Sequence, residues 1–175
     1  MRYVPEDRIR LGAPAELSVR ENLVLRDFMR EPVSHRGIVD AEALARVACR
    51  RAAAFDVRST DLDAPTWSLS GGNVQRVVLA RELDGDFDVL VAHNPTAGLD
   101  IRATRYVRDR IAQCAGRGAA VLLISSDLDE IFELSDTLMV LHRGQSMGAF
   151  KKDAVSAAQI AALMAGRARA QPEAA

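Results

Sequence analysis

Residues 69–76 read Leu-Ser-Gly-Gly-Asn-Val-Gln-Arg and continue into an apolar run that ends at Leu83. The run predicts a helix that Ser70 caps, since a serine side chain accepts hydrogen bonds from the first turn. Glycines at 71 and 72 disfavour a helix by about 1 kcal/mol each relative to alanine, which makes sense if another group must approach the backbone. A helix start with bare N–H groups favours an anion such as phosphate. Taken alone, these residues also fit an ordinary serine-capped surface helix.

A second motif lies shortly after this helix. The apolar run 87–92 predicts a buried strand, which leads into His93-Asn94 and then Pro-Thr-Ala-Gly-Leu-Asp at residues 95–100. In this order, the two motifs resemble the signature sequence of ABC ATPases followed by their Walker B strand and D-loop. The resemblance covers residues 3–144 of the chain.

Other residues narrow the resemblance to one branch of that family. Residues 3–8, followed by residues 18–23, match the way in which second nucleotide-binding halves of simple-sugar and nucleoside importers enter their helical subdomain. Asn73, where the wider family has glutamine, and Ser-Ser-Asp at residues 125–127 indicate the same branch.

Composition predicts an ordinary soluble globular protein. The 175 residues are 49% hydrophobic and 27% charged, with a formal net charge of −1. This charge gives no field that attracts nucleic acid, and no apolar run approaches the roughly 20 residues that span a bilayer. Cys49 and Cys114 lack metal-type spacing, so we expect two buried free thiols in a reducing compartment. The N-terminus has no signal-peptide core, which favours the cytoplasm.

The first half of the chain predicts short helices joined by polar loops, after one short strand. Ser18, with Glu21 three residues on, has the spacing of a capping box, and Asp40 also stands where a cap is expected. The expected elements are a strand at 2–4, a loop at 6–15 and helices at 18–28, 40–54 and 70–83. We expect a helical subdomain throughout residues 17–83, because no strand pattern occurs there. Within it, Asn22 is expected to be neutral or slightly unfavourable for its helix.

The second half alternates apolar strands with helices. The expected strands lie at 87–92, 119–124 and 138–141, with 147–150 pairing back on the last, and the expected helices at 102–114, 128–134 and 156–164. This alternation predicts an α/β fold whose mostly parallel sheet is covered on both faces. Ligands bind at the carboxyl ends of such strands, where His93-Asn94 and Ser125-Ser126 lie. Asp84, Asp86 and Asp88 are expected to form a solvated turn rather than a metal site.

The resemblance implies a partial P-loop NTPase domain of the ABC type, with a helical subdomain inserted in a mostly parallel sheet. Residues 1–16 are then a strand and Q-loop remnant of the core. Residues 17–84 form the helical subdomain that ends in the signature helix, and residues 85–165 form half of a RecA-like core. The Ala/Arg-rich residues 166–175 are expected to be a disordered tail.

The residues that the family uses for catalysis are missing or altered. The sequence contains no G-x-x-x-x-G-K-[ST] phosphate loop, so nothing in it cradles the β- and γ-phosphates. The family's Walker B strand ends in Asp-Glu, whereas His93-Asn94 supplies no carboxylate for magnesium or for the attacking water. Ser126 replaces the switch histidine, and Glu6 replaces the Q-loop glutamine. We therefore expect no intact catalytic site and no metal site, with His93 in a structural role.

The signature, in contrast, is intact. ABC ATPases work as head-to-tail pairs in which the phosphate loop of one domain and the signature helix of the other enclose each ATP. The resemblance implies that this chain contacts ATP in trans, with ATP and Mg²⁺ bound mainly by the partner domain. The residues expected to contribute are Leu69, Ser70, Gly71, Gly72, Asn73 and Gln75. The expected D-loop residues are Ala97, Gly98, Leu99 and Asp100, of which Asp100 can both cap a helix and face the partner.

The function implied is that of a signature-donating, catalytically degenerate ATP-binding subunit or fragment of a nucleoside or simple-sugar importer. Its expected partners are another ABC nucleotide-binding domain, a transmembrane permease near residues 6–22 and, indirectly, a solute-binding protein, but no nucleic acid. The expected location is the cytoplasmic face of the inner membrane. One alternative is a non-functional truncated product of the same family. Another is a DNA-maintenance ATPase head of the SMC type, which the lack of sustained heptads and of a basic stripe disfavours.

Overall fold

The computed structural model describes residues 1–167, which fall into two compact units, one of residues 1–124 and one that begins at Ser125. Among these residues, no helix has the length and apolar character that crossing a membrane requires. The tail predicted at 166–175 lies outside the described residues except for Gly166 and Arg167. Both of these still donate backbone hydrogen bonds to the end of the last helix.

The elements of the first unit lie close to the predicted ones. Its strands are β1 (Arg2–Val4), β2 (Ser34–His35), β3 (Ile38–Val39), β4 (Val89–His93) and β5 (Ala120–Ile124). Its α-helices are α1 (Val19–Val24), α2 (Ala41–Ala54), α3 (Gly71–Glu82) and α4 (Ile101–Gly116). A π-helical turn at Arg8–Gly12 and a 3₁₀ turn at Thr66–Ser68 complete it.

Three strands form the parallel sheet of this unit, in the order β1-β4-β5. The register aligns Val4 with Ala92, and Ala92 with Leu123. Val4, Leu90 and Ala92 are completely buried, so this face of the sheet packs into the core. The predicted α/β class with a parallel sheet is confirmed.

The opposite face of the same sheet is more exposed. Side chains alternate between the two faces of a strand, so the register brings Tyr3, Val91 and Leu122 side by side on it. The exposed fractions are 40% for Tyr3, 56% for Leu122 and 45% for Ile124. The prediction that the sheet is covered on both faces is therefore wrong for this face, within residues 1–167. An apolar run indicates a strand that could be buried on both faces, but it does not indicate which element packs on each face.

Side-chain caps begin the helices where the sequence predicts them. Ser18 and Glu21 form the capping box of α1, and Asp40 caps α2. Hydrogen bonds from the backbone and hydroxyl of Ser18 hold the pKa of Glu21 below its ordinary value. Helix α1 ends at Val24 rather than near Phe28 and continues as turns.

Two loops of the helical block contain structure that the sequence did not predict. Strands β2 and β3 pair as a small antiparallel hairpin, so residues 17–83 are not helical throughout. The segment 6–15, predicted as a loop, contains the π-helical turn Arg8–Gly12, which packs on α3. A methyl group on Gly12 would lie 2.9 Å from Val78 Cγ2, so this close packing requires glycine.

Asn22 ties the entry of the signature helix to α1. It is fully buried, and its Nδ2 donates to Pro14 O at 2.9 Å and to Thr66 Oγ1 at 2.8 Å. Thr66 in turn donates its backbone N–H to Leu17 O. The interpretation of Asn22 as a neutral or unfavourable helix residue was therefore incomplete, because its partners are distant in sequence.

Buried and half-buried ion pairs join α2, the end of α3 and the turns that follow α1 and α3. Glu82, completely buried at the end of α3, accepts from Arg26 and Arg81, each at 2.8 Å. Arg51 of α2 pairs with Asp84 at 2.8 Å and with Asp27. Hydrogen bonds to Asp27 and Asp84 raise the pKa of Arg51 although burial opposes this. Asp84 is thus a half-buried structural partner, which corrects its predicted place in a solvated turn.

The two thiols differ in exposure. Cys114 is buried on α4, as predicted, whereas Cys49 on α2 is exposed, so the prediction was wrong for Cys49. The apolar neighbours of Cys49 in sequence suggested burial, but successive side chains of α2 point in different directions.

The second unit contains α5 (Leu128–Leu134), β6 (Thr137–His142), β7 (Gln145–Lys151), a 3₁₀ turn (Lys152–Ala154) and α6 (Ala157–Met164). Strands β6 and β7 pair as an antiparallel hairpin with an irregularity at Val140/Leu141. Its core consists of apolar side chains from both strands and α6, namely Leu138, Val140, Met147, Ile160 and Leu163. A capping box of Ser156 and Gln159 begins α6 as predicted for Ser156.

Candidate functional site

The predicted helix start at Ser70 is present. Ser70 has an extended backbone and its Oγ accepts from Asn73 N at 3.4 Å, as an N-cap does. The side chain is exposed, and Gly71 and Gly72 behind it are half-buried. Because Oγ accepts from Asn73, its own O–H hydrogen is available as a donor. The helix start therefore offers a hydroxyl and backbone N–H groups toward solvent.

Asn73 and Gln75 of the signature have different surroundings. Asn73 Nδ2 donates to Ser70 Oγ at 3.3 Å, and its Oδ1 accepts from Arg58 N at 3.0 Å. Asn73 thus orients Ser70. Gln75 is 1% exposed, and its Nε2 donates to Pro95 O at 2.7 Å. Gln75 is therefore directed inward, toward the residue that lies just before the predicted D-loop, rather than toward solvent.

Asp100 of the D-loop contacts the signature helix. Its Oδ1 accepts from Ala103 N at 2.9 Å, so it caps α4, and its Oδ2 accepts from Arg76 Nη2 at 2.8 Å. The hydrogen bond from Ala103, followed by the charge of Arg76, lowers the pKa of Asp100. Arg76 also pairs with Asp56, whose pKa it lowers together with Arg58. The capping function predicted for Asp100 is confirmed, and its contact with a partner stays a prediction.

Arg8 is a residue of this site that the sequence did not single out. It lies in the π-helical turn after β1, and its Nη1 donates to Ala97 O at 2.8 Å. A methyl group added at Gly98 would come within 3.0 Å of Arg8 Nη2, and one at Gly71 within 3.4 Å. A methyl group at Gly72 would lie 3.5 Å from Gly98 O. The glycines of both motifs therefore leave room for groups of this chain as well as for any ligand.

The carboxyl end of β4 contributes two residues to a cluster of three polar side chains. Asn94 Nδ2 donates to Glu6 Oε1 at 2.7 Å, and His93 Nε2 lies 3.4 Å from Glu6 Oε2. Glu6, at the predicted Q-loop position, therefore contacts both His93 and Asn94, at the predicted end of the Walker B strand. The carboxylate lies on the Q-loop side, and an imidazole and an amide occupy the strand end. Asn94 adopts a positive φ of 45°, which bends the chain away from the strand.

Ser126 lies in the second unit, between β5 and α5. The neighbouring Asp127 caps α5 by accepting from Asp129 N and Glu130 N, and Asp127 N donates to Ser125 Oγ. The sequence prediction that this segment ends a strand and begins a helix is confirmed.

The described residues do not fit a nucleotide and its magnesium held by this chain alone. Among residues 1–167, no group of three or more histidine, cysteine or acidic side chains could hold a metal ion. At the β4 end, the only carboxylate of the three clustered residues is that of Glu6, which already accepts from Asn94. The sequence also lacks a phosphate loop. The described residues therefore present hydrogen-bond donors at the start of α3 and a single carboxylate among the three clustered residues at the end of β4.

The chain is similar to ATP-binding proteins of bacterial and archaeal importers. No protein-family model matches it. It is 38% identical over 164 residues to the nucleoside import ATP-binding protein NupA of Lactococcus lactis, covering 94% of this chain and 32% of that protein. Identity is 41% over 145 residues with the glucose import ATP-binding protein TsgD13 of Haloferax volcanii, covering 82% and 26%. For the guanosine import ATP-binding protein NupO of Bacillus subtilis, identity is 32% over 164 residues, covering 94% and 32%.

Solved structures of ABC cassettes share this fold. A dimeric ATP-binding cassette in a post-hydrolysis state with ADP and Pi superposes with a TM-score of 0.70 and 20% identity, over 86% of this chain and 62% of that one. The ATP-binding subunit of an ABC transporter superposes with a TM-score of 0.68 and 23% identity, over 87% and 59%. The chain spans about a third of the length of its curated relatives. Its homologues are thus import ATP-binding proteins of ABC transporters, and its structural neighbours are ABC cassettes.

Proposed function

We propose that this chain supplies the signature half of an ATP site in an importer of nucleosides or simple sugars. Its own strand ends are catalytically degenerate, and the phosphate loop, ATP and Mg²⁺ are held mainly by a second ABC nucleotide-binding domain. The chain thereby couples ATP hydrolysis in that partner to transport. The observation that carries the proposal is the exposed Ser70 at the start of α3, above two glycines without side-chain bulk.

The helix start suits the phosphate of a nucleotide that another domain presents. The O–H of Ser70 and the N–H groups of Gly71 and Gly72 are donors, and the helix dipole adds positive potential at the same end. Donors fixed in place before the reaction stabilise charge that develops in the transition state. Asn73 and the cap keep Ser70 oriented without occupying its O–H.

The residues at the end of β4 also support the proposal that the partner domain holds ATP and Mg²⁺. In this chain the Glu6 carboxylate accepts from Asn94 and lies 3.4 Å from His93 Nε2. A carboxylate that is already hydrogen-bonded and unaccompanied by a phosphate loop is a poor ligand for nucleotide-bound Mg²⁺. Isolated chain should therefore neither bind ATP tightly nor hydrolyse it.

The proposed partners follow from the family. The relatives named above are import proteins for nucleosides, guanosine and glucose, which favours this solute class. We propose that residues 17–84 act as the helical subdomain, with the permease docked near residues 6–22, on the cytoplasmic face of the membrane. A solute-binding protein would contact the permease rather than this chain.

A complementation assay tests the proposal. The probe is a recombinant ABC nucleotide-binding domain that carries an intact phosphate loop but an alanine at its own signature serine. Adding this chain should restore phosphate release from ATP. Ser70→Asp should remove the restoration, because aspartate caps a helix as well as serine does but repels phosphate. Ser59→Ala, which alters a loop hydroxyl bonded to Asp61 O, is the matched control. Hydrolysis by the chain alone, or full activity of Ser70→Asp, would contradict the proposal.

A truncated, non-functional product of the same family is the second candidate. The exposed Leu122 and Ile124 on the β1-β4-β5 sheet favour it, because parallel sheets are normally covered on both faces. If this candidate holds, the purified chain should aggregate in light scattering and bind 8-anilinonaphthalene sulfonate strongly. A monodisperse chain with a cooperative unfolding transition would exclude it.

A further inference from the structure

The D-loop and the residues just before it are held by side chains from two other segments of this chain. From α3, Gln75 donates to Pro95 O, and Arg76 pairs with Asp100. From the segment after β1, Arg8 donates to Ala97 O at 2.8 Å. The bonds of Arg8 and Gln75 go to backbone carbonyls, so they fix the path of the loop rather than one side chain. Arg8 thus adds a contact from outside the signature helix.

The space around Arg8 indicates that its guanidinium is fitted to this position. Gly98 has a φ of 73°, and a methyl group there would come within 3.0 Å of Arg8 Nη2. A methyl group on Gly71, at the first turn of α3, would come within 3.4 Å of the same nitrogen. One planar guanidinium therefore lies against the signature glycine and the D-loop glycine together. A guanidinium has five donors in a fixed plane, whereas a lysine ammonium is a compact point charge on a flexible chain.

We propose that Arg8 is a positioning residue that holds the turn at Ala97–Gly98 against the first turn of α3. It thereby fixes the exposed Ser70 and Asp100 relative to each other on one surface. The proposal rests on the proposed function for its effect on catalysis, but the geometry it asserts belongs to this chain alone. Arg8 acts through the loop and not by contact with the nucleotide.

A positioning role predicts a particular kinetic change. In the complementation assay, Arg8→Gln should lower kcat by about tenfold or more, because small displacements of a reacting surface are costly. The KM for ATP should change by less than about twofold, since the partner domain binds the nucleotide. Arg8→Lys should recover part of kcat, because an ammonium can still donate to Ala97 O. Arg10→Gln is the matched control, since the Arg10 side chain is 86% exposed in the same turn.

Hydrogen exchange on the free chain tests the geometry independently of any partner. Arg8→Gln should speed amide exchange at residues 97–99 and 71–73, while exchange in α2 and the thermal unfolding midpoint stay close to wild type. Arg10→Gln should leave all of these unchanged. Unchanged exchange at 97–99 in Arg8→Gln would overturn the proposal, and so would a rise in KM with constant kcat, which indicates direct nucleotide contact. If Ser70→Asp and wild type behave alike in complementation, the proposed function fails and the exchange result alone decides the role of Arg8.

Discussion

Arg76 Nη2 lies 2.8 Å from Asp100 Oδ2, so an ion pair joins the signature helix to the D-loop within one chain. Asp100 uses its other oxygen to cap α4. One carboxylate therefore fixes the end of the D-loop relative to two helices. The Asp100 side chain is 57% exposed, so solvent screens the ion pair. We therefore expect the pair to orient the D-loop while contributing little to the free energy of unfolding.

The charge state of Asp100 should control this junction at acid pH. Its pKa is lowered in the folded chain, so the ionised form stabilises the fold above the pKa of the unfolded chain. This contribution is lost as the pH falls through the lowered folded pKa. A carboxyl-carbon NMR titration should show Asp100 titrating below the ordinary range of aspartate.

Arg76→Gln provides the control for this titration. It should shift the pKa of Asp100 only part of the way to its ordinary value, because the hydrogen bond from Ala103 is the largest cause of the lowering. A full return to the ordinary value would show that the ion pair, and not the cap, dominates. No shift at all would contradict the contact between Arg76 and Asp100.

Gly72→Ala should lower complementation without lowering the stability of the chain. The added methyl group would make an ordinary 3.5 Å contact with Gly98 O, and alanine favours a helix by about 1 kcal/mol over glycine. The urea midpoint of the isolated chain should stay the same or rise, while complementation falls because the methyl group covers the helix start.

Alanine variants of two other glycines serve as comparisons for Gly72→Ala. Gly116→Ala, at the last residue of α4 where a methyl group meets nothing within 4 Å, should likewise keep or raise the urea midpoint but leave complementation unchanged. Gly98→Ala should lower the urea midpoint, since its φ of 73° and the 3.0 Å approach to Arg8 both oppose a side chain. Full complementation by Gly72→Ala would count against a nucleotide at this helix start.

The buried carboxylate of Glu82 should be important for stability. Glu82→Ala leaves the guanidinium of Arg81, whose side chain is 7% exposed, without its carboxylate partner, although Arg81 Nη2 still donates to Gly12 O. Breaking a buried ion pair from one side costs about 3–5 kcal/mol, which urea unfolding of the isolated chain would measure. Glu42→Ala removes an exposed partner of Arg46 and should cost less than about 1 kcal/mol. Equal losses for both variants would show that burial does not distinguish these pairs.

Restoring the family's carboxylates at the end of β4 should not create an ATPase. His93→Asp combined with Asn94→Glu supplies the missing acidic pair, but the chain has no phosphate loop to hold ATP. Phosphate release by the isolated variant should remain at background. Its thermal midpoint should fall, because both new carboxylates face Glu6, which now contacts His93 and Asn94.

Glu6→Gln in that background tests the electrostatic cause. Removing the third carboxylate should recover most of the lost thermal midpoint, while the same change in the wild-type chain should not stabilise it. A double variant as stable as wild type would contradict the proposed contacts. Measurable turnover by the isolated variant would contradict the need for a partner.

Local chemistry made much of the fold predictable. Helix starts at Ser18, Asp40, Ser70 and Asp100 are capped by the residues that the sequence indicated. A cap depends on atoms within about four residues of one another, so the sequence contains nearly all of the information. The parallel pairing of β1 with β4 was less visible, because Tyr3 and Val91 are far apart along the chain.

The contacts of Asn22 and Arg8 could not be predicted, because they depend on long-range packing. Asn22 and Arg8 look like ordinary polar residues of a helix and a loop, and their partners Thr66 and Ala97 are distant in sequence. The glycines indicated that space was needed near the backbone, but not that Arg8 uses part of it.

The sequence by itself determined the family motifs, the capped helix start at Ser70 and the absence of a phosphate loop, because these depend on residue identity and short spacing. Only the tertiary structure decided that Glu6 meets His93 and Asn94, that Gln75 is directed inward, and that one sheet face is exposed. Those outcomes depend on which elements pack together, since a side chain's partner across the fold is set by the summed burial of many residues and not by its neighbours in the chain.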